Sequence, residues 1–112
     1  LPPNMSDEAG RPVGSSVRDR MVNILYHYDH LHGYKIHDIY EKVYEEVSRR
    51  LIYYHLDKGV ELGEFQLHSV EEQRGEYSWG DKVQRKRYEL GPNAEPSFDK
   101  RIKNYKDAHS SD

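Results

Sequence analysis

The stretch Tyr54-His55-Leu56-Asp57-Lys58-Gly59-Val60-Glu61-Leu62-Gly63-Glu64-Phe65 joins two different periodicities. Upstream, Ile52 and Leu56 stand four residues apart, the spacing of one face of a helix. Beyond Gly63, Phe65, Leu67 and Ser69 alternate with Gln66, His68 and Val70, the period of a strand with two unlike faces. The stretch therefore reads as the back half of a helix, a stop, and the first strand of a hairpin.

Downstream, Arg87-Tyr88-Glu89-Leu90 resumes the alternation and predicts a second, antiparallel strand, which Gly91-Pro92 ends. The segment between the strands holds Gly75 and Gly80, together with Arg74, Tyr77, Trp79, Lys82 and Arg85, and has Lys86 at its edge. Phe98, Ile102 and Tyr105 mark a short last helix. Upstream, Ser16 with Asp19 three residues later forms a capping-box-like start. Val17, Met21, Ile24, Leu25 and Tyr28 then share one face of a helix from Val17 to about Tyr28. Gly33 interrupts the pattern, and Ile36, Ile39, Tyr40 and Val43 restore it in a second helix.

Between Tyr40 and Leu56 there is neither Gly nor Pro, so Val43, Val47, Leu51 and Tyr54 are also compatible with one continuous amphipathic helix. Ser48 favours a break. As an N-cap, its hydroxyl accepts a free amide of the next helix and places Arg49 and Arg50 in the first turn. Positive charge there opposes the helix dipole by about a few tenths of a kcal/mol, a penalty that a nearby phosphate would reverse. The expected order is three helices, a hairpin and a helix, an α+β class.

Composition narrows the function. The chain has 112 residues, 35% hydrophobic and 33% charged, with ten tyrosines, no cysteine and a formal net charge of −3. That length supports one domain with a modest core and no deep cleft between lobes. The lack of cysteine removes disulfides, thiolate nucleophiles and Cys-based zinc sites, and leaves a cytoplasmic location as the default. No apolar run approaches the roughly 20 residues of a membrane span, and no signal-peptide pattern precedes the first helix. Net acidity argues against a general polyanion coat, so a DNA reader built on this chain would concentrate its cations locally. Residues 1–14, with Pro2, Pro3, Gly10, Pro12 and Gly14 and no apolar period, are expected as a disordered arm in which Met5 is a candidate natural start.

His27, His30, His32 and His37 fall close together, but no Cys or ordered Asp/Glu spacing completes a metal site. They are expected to serve in polar packing and helix termination, with some pH sensitivity. No Gly-rich phosphate loop, nucleophile elbow or catalytic carboxylate pair is present, and Glu71 and Glu72 point to opposite faces of a strand. No enzyme activity and no cofactor are expected.

Ile24-Leu25-Tyr26 through Leu31-His32-Gly33-Tyr34-Lys35-Ile36, Tyr54-His55-Leu56-Asp57-Lys58 with Glu61-Leu62-Gly63, and Lys86-Arg87-Tyr88-Glu89-Leu90 resemble three motifs of PadR-like, ArsR-related winged helix-turn-helix regulators. These are the LHGYxI link between the first helices, the YHLxxLxxxG end of the recognition helix and the RxYxLT close of the wing. The resemblance spans about residues 17 to 95. It implies a winged-helix domain over 15–95, followed by a short helix and tail over 96–112. It also implies a prokaryotic, including archaeal, transcriptional regulator that binds double-stranded DNA as a homodimer, and it allows a small effector that no residue here identifies. Three departures stand out. Gly59 replaces a Leu and is expected to end the helix near Lys58, Pro-Gly is missing before that helix, and the wing tip is long. The segment after Gly91 is also too short for the long dimerisation helix of many such proteins.

On this reading, the helix over about 48–58 enters the major groove. Arg49, Arg50, Tyr53 and Tyr54 are the candidates for base edges or flanking phosphates, Ser48 stands at the cap, and His55 and Lys58 lie beyond them. Ile52 and Leu56 face the core. In the wing, Arg74, Trp79, Lys82, Arg85, Lys86 and Arg87 are candidates for the DNA backbone or minor groove. The charge supports this: Arg49, Arg50 and Lys58 outnumber Asp57, and the cations of residues 74–87 outnumber Glu76 and Asp81. Each run alone reads as an ordinary solvated face, and their joint placement points to DNA. The competing use is a winged-helix module for protein contact in a ribosome, polymerase or similar assembly, which the tyrosines, the net acidity and Trp79 also fit.

Overall fold

Val17, Met21, Ile24 and Leu25 recur at helical steps, and in the computed structural model all four are buried along helix α1 (Val13–His27). The structure describes residues 13–77 and 80–109, with side chains placed over 16–70 and 85–109. The expected arm over 1–14 lies mostly outside the described residues, but Val13 and Gly14 are already helical. Ser16 therefore stands inside α1 and not at its start. Serine favours a cap but is only mildly unfavourable within a helix, so it does not prevent an upstream turn.

A two-residue strand, β1 (Leu31–His32), precedes α2 (Gly33–Val43); α3 (Arg49–Leu62), β2 (Phe65–Tyr77), β3 (Gly80–Leu90) and α4 (Lys100–Ala108) follow. The strands form one antiparallel sheet in the order β1-β3-β2, with Leu31 opposite Tyr88 and Phe65 opposite Leu90. Strand β1 is not legible in the periodicity, because two residues cannot establish alternation. The fold is thus α+β, with four helices and a three-stranded sheet among the described residues.

The chain does turn before Ser48, although neither Gly nor Pro stops it there. The carboxylate of Glu41 accepts the Val47 amide (3.1 Å), and His37 Nε2 meets the Val47 carbonyl at 2.7 Å. Ser48 Oγ then accepts the Leu51 amide at 3.0 Å and caps α3. A cap of this kind contributes about 0.5–2 kcal/mol. These side chains replace the intrahelical bonds that a continuous rod would have made.

At its far end α3 continues through Gly59 to Leu62, beyond the expected end near Lys58, and stops at Gly63 in the left-handed conformation (φ 81°). Gly59 is buried and needs to be small, since a Cβ there would lie 2.1 Å from Phe65 Cδ2. The Phe65 ring fills the space that a larger residue at 59 would occupy. The core also gathers Ile36, Ile39 and Tyr40 of α2, Ile52 and Leu56 of α3, Tyr88 of β3 and Ile102 of α4.

The hairpin is longer in its strands and shorter in its connection than the sequence implies. Gly75 lies within β2 and Gly80 opens β3, so only residues 78–79, including Trp79, separate the strands and fall outside the described residues. Backbone pairing needs no apolar alternation, and the ladder therefore runs on through polar residues to Arg74 opposite Lys82. His68 is an extra residue between the Leu67–Tyr88 and Ser69–Arg87 pairs, a bulge that breaks the expected alternation of residues 65–70. Its ring stacks on His30 at 4.0 Å.

Helix α4 belongs to the same core. Asp99 caps it, accepting the Arg101 amide and the Tyr44 hydroxyl, and the Asp99 amide donates to His27 Nε2 at 2.9 Å. The guanidiniums of Arg20 and Arg101 lie 4.7 and 4.6 Å from the Tyr44 ring centre. Phe98, expected on this helix, instead precedes it and is 59% exposed.

Candidate functional site

Gly33 opens α2 where α3 passes closest to it. A Cβ at 33 would lie 2.7 Å from Tyr53 Cε1, so the glycine lets the Tyr53 ring settle against the start of α2. That ring, with Asp57 one turn later, forms one wall of an open groove of about 800 Å³. His32, Gly33 and Tyr34 form its end, and Arg85, Lys86 and Tyr88 of β3 form the facing wall. The Arg85 guanidinium lies 5.7 Å from the centre of the Tyr34 ring, which stacks beside His32. The groove therefore brings one face of α3 and the basic end of β3 together.

The expected site residues divide on inspection. Arg49, Arg50 and Tyr54 are exposed on α3, Tyr54 by 55%. Tyr53 is half-buried as the groove wall, and burial raises its phenol pKa. Ser48 uses its hydroxyl on its own helix. Lys58 is partly covered and sits 3.7 Å from Glu61. His55 faces inward, 2% exposed, and so is a core residue and not a surface reader. Its position three after Ile52 and one before Leu56 puts it on the buried side of α3. Arg85 and Lys86 line the groove, whereas Arg87 donates to His30 Nδ1 at 3.3 Å. Arg74 and Lys82 have described backbone positions only, and Trp79 lies outside the described residues.

The cation excess over residues 74–87 does not extend to the whole hairpin. Over Phe65–Leu90 the five cations are matched by Glu71, Glu72, Glu76, Asp81 and Glu89. The excess is confined to β3, whose Lys82, Arg85, Lys86 and Arg87 outnumber Asp81 and Glu89; β2 is acidic. The sequence reading missed the groove partners Tyr34, Asp57 and Tyr88. Asp57 was detectable, since it follows Tyr53 by four residues and Arg50 by seven on one helical face.

Beneath this surface His55 Nδ1 accepts from Arg18 Nη1 at 3.1 Å, and Arg18 Nε donates to Glu64 at 2.9 Å. His55 Nε2 has no partner among the described residues. Burial, then the Arg18 guanidinium, hold the His55 imidazole below its ordinary pKa against the pull of Glu64. Burial does the same to His27, which Asp99 opposes and Lys106 and Lys103 assist. Both histidines fold preferentially as neutral rings. Their stabilisation is therefore complete above the unfolded value of about 6.5 and is lost as the pH falls through the lower folded values. The urea midpoint is expected to drop between about pH 7.5 and about pH 5, and His55→Gln and His27→Gln are each expected to reduce that drop. An equal drop in wild type and both variants would rule these groups out.

No set of three or more His, Asp or Glu side chains is placed to hold a metal among the described residues, and no described helix is long and apolar enough to cross a membrane. No protein-family model, curated protein or solved structure matches this chain.

Proposed function

We propose that the chain is a winged-helix protein that binds double-stranded DNA, with α3 in the major groove and β3 of the hairpin along the sugar–phosphate backbone. The observation that carries this reading is the groove shared by α3 and β3. Tyr53 and Asp57 line it from α3 and Arg85 and Lys86 from the strand opposite, while Arg49, Arg50 and Tyr54 are exposed in the first turns of the same helix, beyond the groove lining. A helix of this width fits a major groove about 12 Å across, and a cationic ribbon beside it matches the adjacent phosphates. The sequence resemblance to PadR-like regulators supports the same arrangement, with transcriptional regulation as the role and a homodimer as the binding form.

The test is fluorescence anisotropy with random and selected duplexes over a range of salt, together with the mass in solution. Retention on duplex DNA with a steep loss of affinity at higher salt is expected. Arg85→Ala and Lys86→Ala are each expected to weaken all sequences alike and to lower the salt slope by about 1. A chain that binds no duplex even at low salt would refute the reading and leave a protein-contact module in its place. A monomer on DNA would refute the dimer alone.

A further inference from the structure

We infer that Asp57 is a specificity-determining residue that selects the N4 amino group of a cytosine in the major groove; the inference rests on the DNA reading above. Asp57 is exposed, lines the groove beside Tyr53, Arg85 and Lys86, and has no hydrogen bond or ion pair among the described residues. Its neighbours are engaged elsewhere: Lys58 with Glu61 at 3.7 Å, and Arg85 over the Tyr34 ring. The carboxylate neither caps α3 nor enters the core; across the groove its charge acts on the Tyr88 phenol, whose pKa is raised by burial and then by Asp57, but it accepts no hydrogen bond among the described residues.

On a surface that approaches DNA, a lone carboxylate is unfavourable against phosphates, sugar oxygens and base acceptors alike. Only N–H donors on base edges attract it. In the major groove those donors are cytosine N4 and adenine N6. Adenine presents the acceptor N7 beside its amine, which would repel the second carboxylate oxygen, whereas cytosine N4 is flanked by a carbon. Cytosine is therefore the favoured base. Asp57 also repels phosphate from its own wall of the groove, which confines the backbone to the Arg85–Lys86 side and sets the register of α3. Arg50 lies two helical turns earlier on the same face, about 10.5 Å away along the axis.

The test is selection from a random duplex library with the wild-type protein, Asp57→Asn and Asp57→Ala. The wild type is expected to prefer cytosine at one position by about tenfold or more. An asparagine amide both donates and accepts, so Asp57→Asn should move that preference to adenine and leave the other positions unchanged. Asp57→Ala should lose it and bind scrambled duplex about threefold more tightly, because a repulsive charge is gone. If the wild type selects a site and all three proteins prefer the same base at every position, the Asp57 assignment is overturned while DNA binding stands. If the wild type selects no duplex, the DNA reading fails and takes this assignment with it.

Discussion

Gly59→Leu is expected to lower stability by about 1–3 kcal/mol or more, even though leucine is much the better helix former. A Cβ at 59 would meet Phe65 Cδ2 at 2.1 Å and Cε2 at 2.5 Å, and the ring it meets is buried and held at the first pair of the hairpin. No flexible end is available to move aside, so α3 and β2 must separate. Phe65→Ala empties the same space and is expected to cost about 3–5 kcal/mol. The double variant Gly59→Leu/Phe65→Ala should cost clearly less than the two single costs together, since the new side chain re-enters the vacated volume. Urea denaturation of the three variants measures this. Additive losses would show that residues 59 and 65 do not share one space.

Arg49→Ala and Arg50→Ala are each expected to weaken binding to a selected duplex by about 1–3 kcal/mol while leaving the fold intact. Both arginines are exposed, in the first turn of α3 just after the Ser48 cap. Positive charge at that end opposes the helix dipole, so removing it should raise thermal stability slightly, by about a few tenths of a kcal/mol. Lower affinity with equal or higher stability is a signature that general unfolding cannot produce. Titration of both variants against the wild type's selected site decides the matter, and unchanged affinity in both would remove the two arginines from the contact surface.

The existence of the hairpin and the faces of the helices were largely legible because apolar period is a local property, whereas the His68 bulge and the full length of the strands were not. Ile52 and Leu56, Val17 through Leu25, and Phe65 all occupy the core positions that their spacing implies. The break before Ser48 was harder to see. The cap is encoded at one residue, but the turn also depends on His37 and Glu41, whose bonds to Val47 reach back 10 and 6 positions. His55 was misplaced because pattern reading assigns a histidine to the polar side, although its spacing from Ile52 and Leu56 puts it on the buried face; Arg18, 37 residues earlier, provides its partner there.

By itself, then, the sequence determined the order of the four helices and the two long strands, the Ser48 cap and the stop at Gly63, since these are matters of steps of two to four residues. The tertiary structure alone decided that α3 runs on through Gly59, that β1 completes the sheet, and that Asp57, Tyr34, Arg85 and Lys86 face one groove. Each of those outcomes depends on groups distant along the chain, Phe65 against Gly59 or Tyr88 against Leu31. Close packing fixes such pairs through shared volume, which no local periodicity encodes.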